Sequence, residues 1–138
     1  MTPLWVLDTN VVVSAALTPG GVCARIMQHA IEGNFRMAWD NVMLREYREV
    51  LLRPRFKFSP AVVRRLLAAL PASGFRAGAA IRLDLPDPGD LPFLAVACAT
   101  DERIIVTGNP RHFPQATLRS LGVKVLSPRQ ALASLDMS

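Results

Sequence analysis

The feature that most constrains this chain is an apolar run near its start that ends in three polar residues, Leu4-Trp5-Val6-Leu7-Asp8-Thr9-Asn10. Four consecutive apolar residues bounded by polar ones are typical of a strand buried on both faces, such as a central strand of a parallel sheet. Asp8 then follows the carboxyl end of that strand, where open α/β sheets bind their ligands. Asp8 or Thr9 could instead cap the next helix, and the run alone leaves both interpretations open.

The rest of the chain alternates short apolar strands with helices, which predicts a parallel sheet. Further strands are predicted at residues 35–39, 81–85, 104–107 and 123–126. Helices are predicted at residues 11–17, 22–32, 41–52, 60–70 and 91–99 and from residue 128 onward. Because strands that alternate with helices pair in parallel, the expected fold class is α/β, a three-layer α/β/α sandwich with a central, mainly parallel sheet. The length of 138 residues predicts a single domain over residues 1–138.

The composition is typical of a globular protein. Hydrophobic residues make up 51% of the chain, and no apolar run approaches the roughly 20 residues of a membrane span. The two cysteines, Cys23 and Cys98, lie in separate apolar helices, which favours reduced thiols in a cytoplasmic protein. The net charge of +5 comes mainly from arginine and indicates a polyanionic partner, although a GC-rich genome favours arginine as well.

Several acidic residues occupy positions that a solvent-exposed charge would not favour. Asp8 follows the first strand, and on a helical wheel of about 100° per residue Glu46 borders the apolar stripe of the third helix. Glu49 lies on the outer face of that helix. Asp90 begins the most apolar helix, where it could serve as a cap. Asp87, in the turn before it, could take the place of Asp90.

Carboxylates that converge repel one another, and no basic residue adjoins Asp8 or Asp90 in the sequence to relieve that repulsion. A divalent cation such as Mg²⁺ or Mn²⁺ would relieve it, because these ions take oxygen ligands from carboxylates, water and substrate phosphates. Such a site acidifies a water molecule and offsets charge on a phosphodiester. The acids therefore predict hydrolysis of a nucleic acid.

A basic and aromatic stretch, Arg53-Pro54-Arg55-Phe56-Lys57-Phe58, follows the helix that carries Glu46. Basic side chains interleaved with rings can contact a nucleic-acid backbone while bases stack on the rings. Two more basic residues lie off the apolar stripe of the next helix. The residues predicted to bind nucleic acid are Arg53, Arg55, Lys57, Arg64 and Arg65. The alternative is a solvated connector whose phenylalanines pack on the core.

Taken in order, these motifs resemble those of the PIN domains, and among them the toxins of bacterial toxin-antitoxin systems akin to the VapC ribonucleases. The resemblance covers nearly the whole chain. Residues 7–11 resemble the first acidic motif, residues 44–51 and 53–56 the second, and residues 87–90 and 93–95 the third. The resemblance implies that the catalytic, metal-binding carboxylates are Asp8, Glu46 and Asp90, with Asp87 as a less favoured metal ligand.

The fourth motif of the family resembles Val106-Thr107-Gly108-Asn109. Many members have an acid where this chain has Asn109, so the resemblance implies a weaker metal ligand there, acting directly or through water. Asn10 and Thr107 are expected to contact the metal ligands and hold them in position without binding the metal themselves.

The resemblance implies a Mg²⁺- or Mn²⁺-dependent endoribonuclease that acts on RNA, forms a homodimer and is held in check by a small antitoxin protein. The alternative is a PIN-like module that binds RNA or a protein without cleaving it. A phosphatase of the haloacid dehalogenase type is not favoured, because Asn10 stands where that chemistry needs a second acid. A dinucleotide-binding fold is not favoured either, since no Gly-x-Gly-x-x-Gly follows the first strand. His112 is interpreted as polar surface, with a general base as the alternative.

Overall fold

The computed structural model describes residues 2–137 and contains a four-stranded parallel sheet with seven helices, which confirms the α/β fold class. The strands are β1 (Leu4–Leu7), β2 (Arg36–Met37), β3 (Ile104–Val106) and β4 (Lys124–Leu126). The helices are α1 (Thr9–Leu17), α2 (Val22–Ile31), α3 (Asn41–Leu51), α4 (Pro60–Leu67), α5 (Leu91–Cys98), α6 (Gln115–Leu118) and α7 (Pro128–Asp136).

The sheet has the strand order β2-β1-β3-β4, so the opening apolar run forms a central strand. All four residues of β1 are buried, as a strand covered on both faces requires. Leu7 pairs with Val106 at the carboxyl ends of β1 and β3. The residues that follow these two strands therefore meet at one edge of the sheet.

Two helices position side chains at that edge. The Asp40 side chain caps α3 by accepting a hydrogen bond from the Met43 amide at 2.8 Å. The buried residues Met43, Tyr47 and Leu51 recur every four positions, so one face of α3 packs on the core. Helix α5 is apolar nearly all round and packs against β1 and β3.

The strand predicted at residues 81–85 is wrong. The segment alternates half-buried Ile81, Leu83 and Leu85 with exposed polar residues, but it forms no strand pairing in the part of the chain described. The half-buried side chains pack against the core. The neighbouring Ala79 amide donates to the Ala95 carbonyl of α5 instead of to a strand. Alternation of apolar and polar residues here indicates that one face of the segment is buried, and it does not show that the segment pairs with a strand.

Both cysteines are free and half-buried, Cys23 in α2 and Cys98 at the end of α5. Among residues 2–137 no single helix has the length and apolar character needed to cross a membrane. The pair α1 and α2, bent by 100°, meets that criterion by length and composition only.

Candidate active site

Asp8 lies where β1 passes into α1, and both of its carboxylate oxygens accept hydrogen bonds. Oδ1 accepts from the Thr9 backbone amide at 2.8 Å. Oδ2 accepts from the Thr107 hydroxyl at 2.7 Å and from the Asn10 side-chain amide at 3.1 Å. Only 4% of the Asp8 surface is exposed. Asp8 therefore caps the helix with one oxygen and is held at the carboxyl edge of the sheet by the other.

Asn10 and Thr107 contact Asp8 because the adjacent ends of β1 and β3 bring them together. Thr107 is fully buried, and its Oγ1 accepts from the Asn109 backbone amide at 3.0 Å. Asn10 Oδ1 accepts from the Gly108 amide at 3.0 Å. A Cβ at position 108 would lie 3.3 Å from that oxygen, tighter than ordinary contact. The loop after β3 is thus bound to Asp8 through two polar side chains.

Glu46 reaches the same place from α3. Its Oε2 accepts a hydrogen bond from the Thr9 hydroxyl. The next residue, Tyr47, is fully buried, and its hydroxyl donates to the Leu7 carbonyl at 2.5 Å. That bond anchors α3 to the end of β1. Glu49 is exposed on the outer face of the helix, as the helical wheel predicts.

Asp90 approaches from the turn before α5 and does not cap that helix with its side chain, so the capping interpretation is wrong for this residue. Asp90 is only 7% exposed. Its Oδ2 is buried and makes no hydrogen bond of good geometry within the described residues. The His112 Nδ1 lies 2.7 Å from this oxygen. Asp87 is exposed, and its Oδ1 accepts from the Gly89 amide at 2.9 Å.

These side chains line one open pocket of about 360 Å³. Its polar lining includes Asp8, Thr9, Asn10, Glu46, Arg53, Arg55, Asp87, Asp90 and His112. A larger pocket of about 520 Å³ lies between α3 and α4, but no acidic residue lines it. The acidic lining of the smaller pocket, and not pocket volume, therefore identifies the candidate site.

Burial and mutual repulsion perturb the acids of this pocket. Burial and the charge of Asp8 raise the pKa of Asp90 to about 6, against the opposing influence of His112. Burial also raises the pKa of Glu46, which the Thr9 hydrogen bond partly offsets. Both shifts disfavour the charged form, so the metal-free site holds carboxylates under electrostatic strain.

Asp8, Glu46, Asp87 and Asp90 line the same pocket, but not every predicted residue reaches it. Within residues 2–137, the group whose possible metal-ligand atoms all lie within 4.8 Å of one another is Asp87, Asp90 and His112, and it does not include Asp8 or Glu46. Asn109 contributes its backbone amide to Thr107, whereas its half-buried side chain does not line the pocket.

The five basic residues are likewise divided. Arg53 and Arg55 line the acidic pocket, and the Arg55 guanidinium lies 4.7 Å from the centre of the Phe56 ring. Arg64 lines the groove between α3 and α4, and Arg65 lines an apolar groove against α1 and α2. Lys57 is exposed in the turn that follows Phe56.

The phenylalanines of the basic stretch behave as the alternative interpretation expected. Phe56 and Phe58 are half-buried, pack on the core and stack on each other with ring centres 6.2 Å apart. Only Phe56 also lines the pocket. The two rings therefore do not form an exposed platform for bases.

The sequence analysis does not predict two polar contacts in the pocket. Thr9 was considered only as a cap, yet its hydroxyl binds Glu46. His112 was interpreted as polar surface, yet its ring lies against Asp90. The sequence carries no signal for the second contact, because the spacing of two loop residues does not fix the distance between their side chains.

The donor set fits a hard divalent cation. Four carboxylates line one pocket, and the buried Asp90 Oδ2 lies there 2.7 Å from the His112 Nδ1. Mg²⁺ and Mn²⁺ prefer such oxygen ligands, and a cation would relieve the repulsion that raises the pKa of Asp90 and Glu46. Asp90 would be a ligand of such a cation, and Asp8, Glu46 and Asp87 line the pocket around it.

A family model described as PIN domain matches residues 5–111, well over half of the chain. The matched segment begins at the second residue of β1, continues through β3 and includes all four acids of the pocket, and it ends one residue before His112. None of the curated proteins matches this chain.

Proposed function

The chain belongs to the PIN domain family, whose members are generally nucleases, and from this premise we propose that it is a divalent-metal-dependent endoribonuclease. The observation that carries the proposal is that Asp8, Glu46 and Asp90 line one open pocket, in which the buried Asp90 Oδ2 lies 2.7 Å from the His112 Nδ1. Burial and repulsion between carboxylates raise the pKa of Asp90 and Glu46, which costs native-state free energy and favours a function that needs these acids.

When bound, Mg²⁺ or Mn²⁺ supplies Lewis-acid chemistry: it acidifies a water molecule and offsets charge on the phosphodiester. The chain's own residues orient the ligands. Thr107 and Asn10 fix the Asp8 carboxylate, and Thr9 fixes that of Glu46. Hydrogen bonds of this kind hold metal ligands in a productive orientation. Attack by water on phosphorus leaves a 3′-hydroxyl and a 5′-phosphate, because the ribose 2′-hydroxyl takes no part.

Arg53 and Arg55 give the pocket a cationic rim beside its acidic centre. Guanidinium groups bind phosphate oxygens in pairs, so these two residues suit the phosphates that flank the scissile bond. The open pocket suits single-stranded or looped RNA, whose backbone can bend into it.

We further propose, on the motif resemblance, that this protein is a homodimeric toxin held in check by a small antitoxin protein. Co-expression with the product of a neighbouring small gene tests this role, since an antitoxin should restore the growth of cells that express the nuclease. No rescue by such a partner would contradict the toxin role and leave the nuclease proposal intact.

The decisive experiment for the nuclease compares two glutamates of one helix. Glu46 lines the pocket and Glu49 is exposed outside it, so Glu46→Gln and Glu49→Gln remove the same charge from α3. End-labelled RNA is incubated with each variant and Mg²⁺ or Mn²⁺, with and without EDTA. We expect wild type and Glu49→Gln to cleave the RNA only with metal and Glu46→Gln to be at least about 100-fold slower, the loss of a transition-state contact worth about 2.7 kcal/mol.

Cleavage that survives EDTA, or products that end in cyclic phosphates, would contradict metal-dependent hydrolysis. Equal rates for the two variants would remove Glu46 from the site. Metal-independent RNA binding without any cleavage would favour the alternative, a PIN-like module that binds RNA without cutting it.

The arginine rim has its own matched control. Arg53→Ala with Arg55→Ala and Arg64→Ala with Arg65→Ala each remove two charges, but only the first pair lines the pocket. Loss of two phosphate contacts should flatten the slope of log affinity for single-stranded RNA against log salt by up to about 1.4. We expect that change in the first double variant alone, and equal slopes in both would contradict the assignment.

A further inference from the structure

The pocket of about 520 Å³ between α3 and α4, which we name the α3–α4 groove, lies apart from the acidic pocket. Six of the eight residues that line it are apolar, and the other two are arginines. None of the eight lines the acidic pocket. The groove is therefore a separate surface feature that the proposed function does not use.

Each wall of the groove carries one arginine in the middle of a stripe of lining residues. On the α3 side Leu44, Arg48 and Leu52 recur every four residues, so they lie on one face of the helix. On the α4 side Arg64 is the middle residue of a stripe with the same spacing. Leu52, at the end of α3, is 39% exposed. Apolar surface and positive charge are thus presented together on both walls.

The two guanidinium groups of the groove have no partner in the part of the chain that the structure describes. Arg48 and Arg64 are exposed, and neither side chain forms an ion pair or a hydrogen bond within residues 2–137. No acidic residue among these residues lines the groove. The groove therefore has two unbalanced positive charges beside an apolar floor.

We propose that the α3–α4 groove binds an acidic amphipathic helix of a partner protein. Such a helix carries apolar side chains at positions i, i+3, i+4 and i+7, which fit an apolar floor, and carboxylates beside them, which pair with guanidinium groups. Arginine suits this role because its fork binds a carboxylate through two hydrogen bonds while its stem packs on apolar surface. Charge complementarity is the observation that selects this partner.

Two other occupants fit the groove less well. Single-stranded RNA needs rings on which its bases stack, and no aromatic side chain of the described chain lines the groove. A second copy in a two-fold interface would set the groove against itself. That arrangement would bring both copies of Arg48 and Arg64 together without an acid from the groove to balance them.

A designed peptide tests the proposal directly. The probe is a fluorescently labelled helix of about 16 residues, with leucine at the four anchor positions and glutamate beside them. A matched peptide has glutamine in place of every glutamate. By fluorescence anisotropy we expect the protein to bind the acidic peptide at least about threefold more tightly, with a difference that shrinks as salt is added. No binding of the acidic peptide, or equal affinity for the two peptides, would overturn the proposal.

The same two helices supply a matched pair of charge variants. Arg48→Gln with Arg64→Gln removes both charges of the groove, whereas Arg45→Gln with Arg65→Gln removes one charge from each helix outside it. We expect the first double variant to weaken binding of the acidic peptide about three- to tenfold, the combined effect of two exposed ion pairs, and the second to change it less than about twofold. Equal effects of the two double variants would overturn the proposal.

The apolar part of the groove has its own control. Leu52 lines the groove, whereas Leu17 ends α1, is also exposed and does not line it. We expect Leu52→Gln to weaken binding of both peptides and Leu17→Gln to leave it unchanged. Equal affinities of these two variants for the acidic peptide would overturn the apolar contact and, with it, the proposed amphipathic partner.

Leucine methyl signals locate the bound peptide. Leu66 and Leu67 are neighbours in α4, but Leu67 lines the α3–α4 groove and Leu66 lines the groove against α1 and α2. We expect the acidic peptide to shift the methyl signals of Leu52 and Leu67 and to leave those of Leu66 unchanged. Shifts at Leu66 alone would place the peptide in the other groove and overturn the proposal.

The two other occupants are tested on the same charge variants. Weaker binding of a labelled oligouridine to Arg48→Gln with Arg64→Gln, without binding of the acidic peptide by wild type, would assign the groove to RNA and overturn the proposal. A change of oligomeric state in sedimentation, confined to that double variant, would assign it to a second copy and overturn it as well. Peptide binding requires neither RNA cleavage nor a toxin role, so a failure of the proposed function would leave this site intact.

Discussion

The Thr107 hydroxyl is the most informative single group to remove, because it supports Asp8 without lining the pocket. It donates to Asp8 Oδ2 at 2.7 Å and accepts from the Asn109 amide at 3.0 Å. Thr107→Val keeps the shape of this fully buried residue and deletes both bonds, together with a longer one of 3.5 Å that the hydroxyl accepts from the Asn10 side-chain amide. Thr100→Val is the control, since the Thr100 hydroxyl is also buried and makes two bonds, to the Ala97 carbonyl and from the Arg103 amide.

The expected costs differ because only one of the two threonines binds a carboxylate. A hydrogen bond to a charged group contributes about 1.5–3 kcal/mol and a neutral one about 0.5–1.5 kcal/mol. Thr107→Val should therefore lower the free energy of unfolding by about 2–4.5 kcal/mol, and Thr100→Val by about 1–3 kcal/mol. For 138 residues the unfolding entropy is about 290 cal/mol/K, so each kcal/mol corresponds to about 3–4 °C in Tm.

Metal binding separates the variants further. Loss of a group that orients a metal ligand typically costs 10–100-fold in affinity, or about 1.4–2.7 kcal/mol. At a fixed Mg²⁺ or Mn²⁺ concentration well above Kd, the stabilisation by metal should be smaller in Thr107→Val by that free energy, so the metal-induced rise in Tm should be smaller too. In Thr100→Val the metal-induced rise in Tm should equal that of wild type. Thermal unfolding with and without metal measures both quantities. Equal metal responses in the two variants would refute the role of Thr107 in holding a metal ligand.

Three other perturbations test separate parts of the structure. The metal-free protein should lose up to about 3 kcal/mol of stability as pH rises from about 4 to about 6, because native Asp90, with a pKa of about 6, retains a proton that the unfolded chain has released. Urea unfolding across this pH range measures the loss, and Asp90→Asn should flatten the dependence of stability on pH. Tyr47→Phe leaves the Leu7 carbonyl without its 2.5 Å donor and should cost about 1–3 kcal/mol in urea unfolding without changing the m-value. Asn109→Asp adds a negative charge beside the pocket and should tighten Mg²⁺ or Mn²⁺ binding in a calorimetric titration, whereas equal or weaker affinity would place residue 109 away from the metal.

The candidate site illustrates which contacts a sequence pattern can predict. Asp8 and Thr107 each follow an apolar run, and parallel pairing of those runs brings the two residues to one edge of the sheet. Glu46 was identified from helical periodicity, since Met43, Tyr47 and Leu51 define the buried face and Glu46 lies at its border. These predictions succeed because repeating backbone geometry carries side chains to known places.

Where backbone periodicity ends, the same reasoning fails. Residues 81–85 alternate like a strand but lie along the core unpaired, and the loop residue His112 was interpreted as polar surface. The basic residues formed one group in the sequence, yet Arg53 and Arg55 face the acids while Arg64 and Arg65 line two other grooves. Turns between elements change the direction of the chain, so proximity in sequence does not fix proximity in space.

By itself the sequence determined the α/β class, the central position of β1 and the convergence of acids at the carboxyl edge of the sheet, because hydrophobic periodicity and parallel pairing are local rules that each segment obeys. Only the tertiary structure decided that the Asp90 Oδ2 is buried, that His112 Nδ1 lies 2.7 Å from it and that the Thr9 hydroxyl binds Glu46. Those contacts join residues far apart in the chain. Their distances depend on how whole elements pack, and differences of about 1 Å decide whether two polar groups bind each other or an ion.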